Sequence, residues 1–254
     1  MPRPFVLVQL SDPHIGADWG GGDPVASLAA AVRAAAALRP DAVLVSGDLA
    51  DHAADAEYEQ VRELLAPLGA PLYVLPGNHD DRHALRRHFG VPGAGGEPVQ
   101  YAADLGPLRL VVLDTTIPGE DGGRLDEARL RWLDASLAAG PDQPTLVAMH
   151  HAPLWTGVPV MDGVGLPSAD RAALGRVVER HPQVRRLVGG HNHLTLTADL
   201  GGRGVLSAPS TYVQSLLDLS ATEEADLTDA PPGFAVHVLF EGGELSSYVQ
   251  PVSA

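Results

Sequence analysis

Five short clusters of histidine, aspartate and asparagine are spread along the chain. They are, in order, Asp12-Pro13-His14, Asp48, Asn78-His79-Asp80, His150-His151 and His191-Asn192-His193. Each cluster follows or ends a run of residues typical of a buried β-strand. Carboxylate, imidazole and amide groups together favour manganese, iron or zinc over a soft metal. The residue types therefore indicate a metal site assembled from distant parts of the chain.

The spacing within the clusters supports this interpretation. The acid and imidazole of Asp12-x-His14 are two residues apart, as are the two imidazoles of His191-x-His193. On an extended segment such side chains point to the same side, toward one ion. A glycine stands directly before Asp48, before Asn78 and before His191, which suits sharp turns where the backbone passes close to ions. Asp48 is central enough to offer one oxygen to each of two ions.

Alternating strand and helix patterns in the first third predict how these clusters come together. Predicted strands end just before the first three clusters, and predicted helices separate those strands. Such alternation implies a mostly parallel sheet, and ligands bind at the carboxyl ends of its strands. The predicted strands are Phe5–Leu10, Asp41–Ser46 and Leu72–Leu75; the helices are one opened by Asp23-Pro24 and stopped by Pro40, and one over Asp55–Ala66.

The rest of the chain predicts a second sheet and two terminal hairpins. Together with the first third, this gives an α/β fold: a four-layer αββα sandwich of two mixed sheets flanked by helices. A single domain over residues 1–254 is expected, with small cap or dimerisation excursions near 157–167 and 215–232. The predicted elements are an antiparallel pair Val99–Ala103 and Leu108–Asp114, a helix Asp126–Ala138, a strand Thr145–Met149, a helix capped by Ser168 and reaching Arg180, a strand Arg186–Val188, a hairpin Leu194–Leu200 with Gly204–Ser207, and a hairpin Phe234–Phe240 with Leu245–Val249.

Composition narrows the chemistry. The 254 residues carry a net charge of −15, with no cysteine, and all 17 basic residues are arginine. This excludes cysteine nucleophiles, thiolate metal sites, Schiff bases and a phosphate-loop lysine. The negative charge disfavours nucleic acid and anionic membrane as partners. The short apolar run near the N-terminus matches neither a signal peptide nor a membrane span, so a cytoplasmic protein is expected.

The clusters also resemble a known family. Asp12-x-His14, Gly47-Asp48, Gly77-Asn78-His79-Asp80, His150 and Gly190-His191-x-His193 occur in the order and spacing of the calcineurin-like metallophosphoesterases, a likeness that covers residues 6–193. Within that superfamily the chain is similar to class III cyclic nucleotide phosphodiesterases and bacterial glycerophosphodiesterases. One departure is Ala152, where relatives often carry a second proline; little chemical effect is expected. The segments carrying the narrower likeness include Asp114–Gly119, Arg131–Leu133, Met149–Pro153, Met161-Asp162, Pro209–Thr211 and Pro232–Phe234.

The resemblance implies two divalent or mixed-valence metal ions, with manganese, iron or zinc as candidates. Asp48 is the shared ligand, and a hydroxide between the ions attacks phosphorus. The implied ligands are Asp12, His14, Asp48 and His193 for the first ion, and Asp48, Asn78, His150 and His191 for the second.

The resemblance also implies roles around the ions. His79 gives a proton or hydrogen bond to the leaving oxygen, and Asp80 orients His79 or a ligand imidazole as an acceptor. Asn78 and His79 face the substrate. Trp19 and Trp155 are candidates to rim the pocket and stack on a nucleobase; the alternative is that both only pack loops.

Other histidines have plainer interpretations. Strand alternation that points His150 into the site turns His151 away, so His151 is interpreted as structural. The remaining histidines lack ligand spacing and are expected to be solvated or hydrogen-bonded within the fold. They are His52, His83, His88, His181 and His237.

The resulting functional hypothesis is a metal-dependent phosphodiesterase that hydrolyses a 3′,5′-cyclic nucleotide or a glycerophosphodiester. A phosphomonoesterase of the same fold is the alternative enzyme. A non-catalytic scaffold that binds a protein is disfavoured, because all seven ligand residues implied by the resemblance are present. The physiological substrate, the metal pair and the oligomeric state are left open, with a homodimer or a larger homo-oligomer as the candidate assemblies.

Overall fold

The computed structural model describes residues 3–252. No helix within those residues is long and apolar enough to cross a bilayer. The elements, numbered along the chain, are β1 (Phe5–Leu10), α1 (Pro24–Ala37), β2 (Ala42–Val45), α2 (Asp55–Leu65), β3 (Leu72–Val74), α3 (Arg82–Phe89), β4 (Tyr101–Asp104), β5 (Arg109–Val112), α4 (Glu127–Ala138), β6 (Thr145–His151), α5 (Pro159–Gly163), α6 (Ser168–Glu179), β7 (Val184–Gly190), β8 (Leu196–Leu200), β9 (Arg203–Ser207), β10 (Gln214–Ser215), β11 (Leu227–Thr228), β12 (Gly233–Leu239) and β13 (Leu245–Pro251).

Two mixed sheets form the centre of the molecule. The first has the strand order β13-β12-β1-β2-β3, in which β1, β2 and β3 are parallel. The second has the order β4-β5-β6-β7-β9-β8, in which β5, β6, β7 and β9 are parallel. Antiparallel pairs close one edge of the first sheet and both edges of the second. The parallel strands carry their carboxyl ends to one edge, where ligands bind in such sheets.

Alternating side chains divide the core into three layers. Leu7, Leu44 and Leu110 belong to the layer between the sheets. Their chain neighbours point outward: Val8 and Val43 pack beneath α1 and α2, and Val111 packs beneath α4 and α6. This period of two is the consequence of strand geometry when both faces of a sheet are covered. The predicted αββα sandwich of two mixed sheets is confirmed.

Several element bounds differ from the predicted ones by one or two residues, as is usual at the ends of helices and strands. Two differences have a physical cause. The helix α3 has no counterpart among the predicted elements, because its buried side chains are few. Asp81 caps it by accepting from the Ala84 amide at 2.7 Å, and Gly90 ends it with a φ of 65°. The prediction that Ser168 caps α6 is wrong: Pro167 takes the cap position without a side-chain bond, and Ser168 is already helical.

Two irregular segments stand beside the carboxyl edge of the sheets. Residues 157–167 contain the short helix α5, and residues 215–232 contain β11, which pairs with β10. The two segments contact each other, because the Val160 amide donates to the Ala221 carbonyl at 3.1 Å. Their predicted roles as a cap or a dimerisation surface stay predictions.

Candidate metal centre

The carboxyl ends of five parallel strands bring the predicted ligands together. β1 leads to Asp12 and His14, β2 to Asp48 and β3 to Asn78. From the second sheet, β6 carries His150, and β7 leads to His191 and His193. Among the described residues, seven non-glycine positions have a positive φ, and five are predicted ligands: Asp12, His14, Asp48, His191 and His193. Each such position costs of order 1–3 kcal/mol and tends to occur at functional sites.

Two glycines allow the loops to approach one another. A Cβ on Gly77 would overlap the Asp48 carboxylate, and a Cβ on Gly190 would overlap Ser11 and the Asp12 carboxylate. Any side chain at either position would therefore displace a carboxylate of the site. These are two of the three glycines that the sequence analysis singled out.

The first group of ligand atoms comes from Asp12, His14 and His193. The Nε2 atoms of His14 and His193 lie 3.1 Å apart, and His193 Nε2 is 3.7 Å from Asp12 Oδ1. His14 donates Nδ1–H to Asp51 at 2.8 Å, which leaves its Nε2 for the site. All three side chains are buried.

The second group comes from Asn78, His150 and His191. Asn78 Oδ1 lies 3.0 Å from His150 Nε2 and 3.1 Å from His191 Nδ1. The outer nitrogen of each ring donates to a backbone carbonyl: His150 Nδ1 to Ser46 and His191 Nε2 to Val164. Hydrogen bonds of this kind determine the tautomer of a metal-ligating histidine.

Asp48 stands between the two groups. Its Oδ2 lies 3.5 Å from His14 Nε2 in the first group and 3.3 Å from His150 Nε2 in the second. Its Oδ1 accepts the backbone amide of His79 at 3.0 Å. One carboxylate oxygen therefore faces ligand atoms of both groups, as expected for a residue shared by two ions.

The donors fit metal ions. The facing Nε2 atoms of His14 and His193, 3.1 Å apart, can share one imidazole N–H in a hydrogen bond or, with that proton removed, can both face a metal ion beside the carboxylates. Oxygen and imidazole donors without thiolate suit manganese, iron or zinc. Asp12, His14 and His193 place their ligand atoms within 4.8 Å of one another, and so do Asp12, Asp48 and His150.

Charge in the site prepares it for a cation. Burial, with the neighbouring His14, lowers the pKa of His193 to about 3, so this imidazole is neutral at pH 7. Burial alone would raise the pKa of Asp48, but His150 and His14 outweigh it and hold the pKa well below its usual range. For His150 burial is outweighed by Asp48, which raises the pKa to about 9. His150 would therefore have to lose a proton to hold a metal ion.

Asp51 is a site residue that the sequence analysis missed. Its carboxylate accepts from His14 and from the Trp19 indole, and its backbone carbonyl accepts from His79 Nδ1 at 2.9 Å. The side chain is 6% exposed. A carboxylate three residues after the shared aspartate was the available signal, but its direction toward His14 depends on the turn that follows β2.

The structure corrects the role predicted for Asp80. Its carboxylate accepts the backbone amides of Leu49, Ala50 and Gly77 and the Tyr58 hydroxyl, at 2.9 to 3.2 Å. The expectation that it orients His79 or a ligand imidazole is wrong, because these four donors surround it. Burial and the neighbouring Asp48 raise the pKa of Asp80 to about 6. Asp80 thus joins the loops after β2 and β3.

His151 is occupied outside the site. A register irregularity in β6 between Ala148 and His151 interrupts the strand alternation, and the His151 ring packs 4.4 Å from that of His191. Its Nδ1 bonds Thr115 Oγ1 at 2.8 Å and its Nε2 bonds the Asp121 carbonyl at 2.9 Å. Neither nitrogen is left for an ion, which agrees with the structural interpretation of this residue.

The two predicted tryptophans lie in different surroundings. Trp19 is half-buried beside the first group, with its ring 5.1 Å from that of His14 and 6.1 Å from that of His193. Trp155 is 58% exposed, and the Arg171 guanidinium stacks on its ring, with Arg171 Cζ 3.3 Å from the centre of the indole. A substrate contact for either stays a prediction.

An αββα sandwich with aspartate, asparagine and histidine gathered at its strand ends defines the metallophosphoesterase class. Comparison with known families agrees: the calcineurin-like phosphoesterase family matches residues 5–194. The chain belongs to this family, as the motifs indicated.

Individual members of the family and solved structures are also similar to this chain. The cAMP/cGMP dual specificity phosphodiesterase MT0825 of Mycobacterium tuberculosis is 34% identical, over 100% of this chain and 86% of its own. The glycerophosphodiester phosphodiesterase GpdQ of Enterobacter lignolyticus is 39% identical, over 63% of this chain and 58% of its own. Among solved structures, a dimetal phosphatase from Danio rerio superposes with a TM-score of 0.70 at 18% identity, over 98% of this chain and 99% of its own. At that identity the last likeness shows the fold alone.

Proposed function

We propose that this protein is a metal-dependent phosphodiesterase that hydrolyses small phosphodiesters. The observation that carries the proposal is the position of Asp48, whose Oδ2 lies within 3.5 Å of imidazole nitrogens in two separate ligand groups. A single ion would not need a carboxylate shared between two donor sets. The names of the relatives above supply the class of substrate.

Two ions are assigned to the two ligand groups. Asp12, His14, Asp48 and His193 would hold the first, and Asp48, Asn78, His150 and His191 the second. Divalent ions held there supply an activated water and neutralise charge on the phosphoryl oxygens. Manganese, iron and zinc all suit these donors.

His79 is the residue proposed to assist the leaving group. Its Nδ1–H is held by the Asp51 carbonyl at 2.9 Å, with Asp51 Oδ1 at 3.6 Å. When the ring is protonated, Nε2–H is the proton left to donate. The side chain is 35% exposed, so substrate can reach it. A positioned imidazole can thereby give its proton to the departing alkoxide.

The proposed substrates are 3′,5′-cyclic nucleotides or glycerophosphodiesters. Both are named in relatives of this chain, a cAMP/cGMP phosphodiesterase and a glycerophosphodiester phosphodiesterase. Trp19 is proposed to line the pocket, since it lies beside His14 and His193. The net charge of −15 weighs against a nucleic-acid substrate.

The test combines metal content with hydrolysis. The purified protein should carry close to two metal ions per chain by native mass spectrometry, and should hydrolyse bis-p-nitrophenyl phosphate in the presence of Mn²⁺. Absence of metal-dependent hydrolysis between pH 6 and about pH 9 would refute the proposal. A faster reaction with p-nitrophenyl phosphate would instead identify a phosphomonoesterase. A panel of cyclic nucleotides and glycerophosphodiesters then selects the substrate.

A further inference from the structure

A row of buried polar side chains crosses the apolar layer between the two sheets, directly beneath the metal centre. Gln9 on β1 and His237 on β12 are fully buried, as is Ser46, which follows β2. All three lie on the inner face of the first sheet, in line with Leu7, Leu44 and Ala235 of the inter-sheet core. Polar groups in such a layer are costly unless every one is hydrogen-bonded.

The hydrogen bonds of Gln9 are complete. Its carboxamide nitrogen donates to Ser46 Oγ at 2.8 Å and to the Gly189 carbonyl at 2.9 Å. Its Oε1 lies 3.0 Å from His237 Nε2. Because Oε1 can only accept, His237 must carry its proton on Nε2, and Nδ1 then accepts from the Ser247 hydroxyl at 2.8 Å. The Gly189 carbonyl, which can only accept, and the His237 Nε2–H, which can only donate, together determine which way the carboxamide faces.

Gln9 connects the two halves of the metal centre. Ser46 belongs to the first sheet, and its backbone carbonyl accepts Nδ1–H of the ligand His150 at 2.9 Å. Its hydroxyl bonds Ser11, the residue before the ligand Asp12, at 2.7 Å. Gly189 belongs to β7 of the second sheet, two residues before the ligand His191. One carboxamide thus spans the sheets where their ligand loops begin.

We propose that Gln9 is a positioning residue for the metal centre, held in orientation by His237, and that it sets the spacing between the ligands of the two sheets. This inference rests on the proposed metal centre. Loss of such outer partners typically weakens metal binding ~10–100-fold. Neither residue hydrogen-bonds a predicted ligand side chain, so the effect passes through Ser46 and Gly189.

The experiment measures Mn²⁺ affinity by calorimetric titration of metal-stripped protein, with folding checked by circular dichroism. Gln9→Leu and His237→Leu are each expected to weaken Mn²⁺ binding by ~10-fold or more. His237→Gln, which keeps a donor for Gln9 Oε1, should bind like the wild type. Leu110→Ala is the matched control: it removes buried volume from the same inter-sheet layer, but Leu110 lies on β5 and pairs with Ala103 and Leu146, outside this row.

The outcomes separate the two proposals. Wild-type affinity in both leucine variants, or an equal loss in Leu110→Ala, would overturn the positioning role and leave the metal centre standing. If Gln9→Leu does not fold, the comparison of His237→Leu with His237→Gln decides alone, because only the latter preserves the hydrogen bond. Wild-type protein that binds no Mn²⁺ would overturn the metal centre and this inference with it.

Discussion

Replacing His79 with alanine should slow hydrolysis in a manner that depends on the leaving group. The side chain is not a predicted ligand, and its backbone amide, which donates to Asp48 Oδ1 at 3.0 Å, survives the change. Metal content should therefore stay at the wild-type value. What is lost is the imidazole that gives a proton to the leaving oxygen, a contribution of ~10²–10⁴ in rate. That range corresponds to about 3–5 kcal/mol of transition-state stabilisation.

Two substrates distinguish this role from a general defect. An alkoxide leaves slowly without a proton, so hydrolysis of a cyclic nucleotide or a glycerophosphodiester should lose ~10²-fold or more in kcat. p-Nitrophenolate is stable as an anion, so bis-p-nitrophenyl phosphate should lose far less. His181→Ala is the matched control, since this histidine bonds Asp134 of α4, outside the site. An equal loss on both substrates, or loss of metal, would refute the assigned role.

Three further predictions test the site and the fold. Asp48→Ala should leave less than one metal ion per chain by native mass spectrometry and reduce kcat/KM by more than ~100-fold, because losing even a hydrogen-bond partner of a ligand lowers activity by up to ~100-fold. Two retained ions would contradict the shared-ligand role. Burial and the charge of Arg186 lower the pKa of His237 to about 3 from the 6.5 of an unfolded histidine, so the unfolded chain binds the extra proton between these values. The free energy of unfolding should thus fall as the pH drops from 6.5 toward 3, by up to about 1.4 kcal/mol per pH unit from this residue, and urea titrations of His237→Gln should show a flatter pH dependence; an unchanged slope would contradict this. Leu110→Ala, in the layer between the sheets, should lower the free energy of unfolding by about 2–5 kcal/mol in the same urea assay while leaving metal stoichiometry unchanged; a change below about 1 kcal/mol would mean that the layer repacks around the loss.

Most strands and helices could be predicted from local sequence patterns. Apolar runs bounded by polar clusters located the strands, because a strand covered on both faces has few polar positions. The helix α3 was not predicted, because it has almost no apolar stripe. Its buried residues are Arg82, Ala84 and Leu85. The order of the strands within each sheet could not be predicted, for a different reason. β12, near the end of the chain, pairs with β1 at its start, and no local pattern encodes such a contact.

In the candidate site, too, some features could be predicted from the sequence and others could not. The types and order of the clusters were sufficient to nominate the residues that the structure gathers, because ligand chemistry is a property of each side chain. The direction of each side chain was not. Asp80 and Asp51 are both acidic and close to ligands in the sequence, yet Asp80 turns toward backbone amides while Asp51 faces His14. Which carboxylate meets which imidazole depends on turns whose backbone adopts positive φ.

The amino-acid sequence determined the family, the strand and helix alternation and the candidate ligands, all of which depend on residue type and near-neighbour spacing. Tertiary packing decided which nitrogen of each imidazole faces the metal centre, because a hydrogen bond to one ring nitrogen leaves the other for the centre. For His150 the partner is the Ser46 carbonyl, 104 residues away in the chain. The row of Gln9, Ser46 and His237 likewise exists only where the two sheets meet. Hydrogen bonds between distant segments require the packed arrangement of the strands, so their geometry is a property of the folded chain.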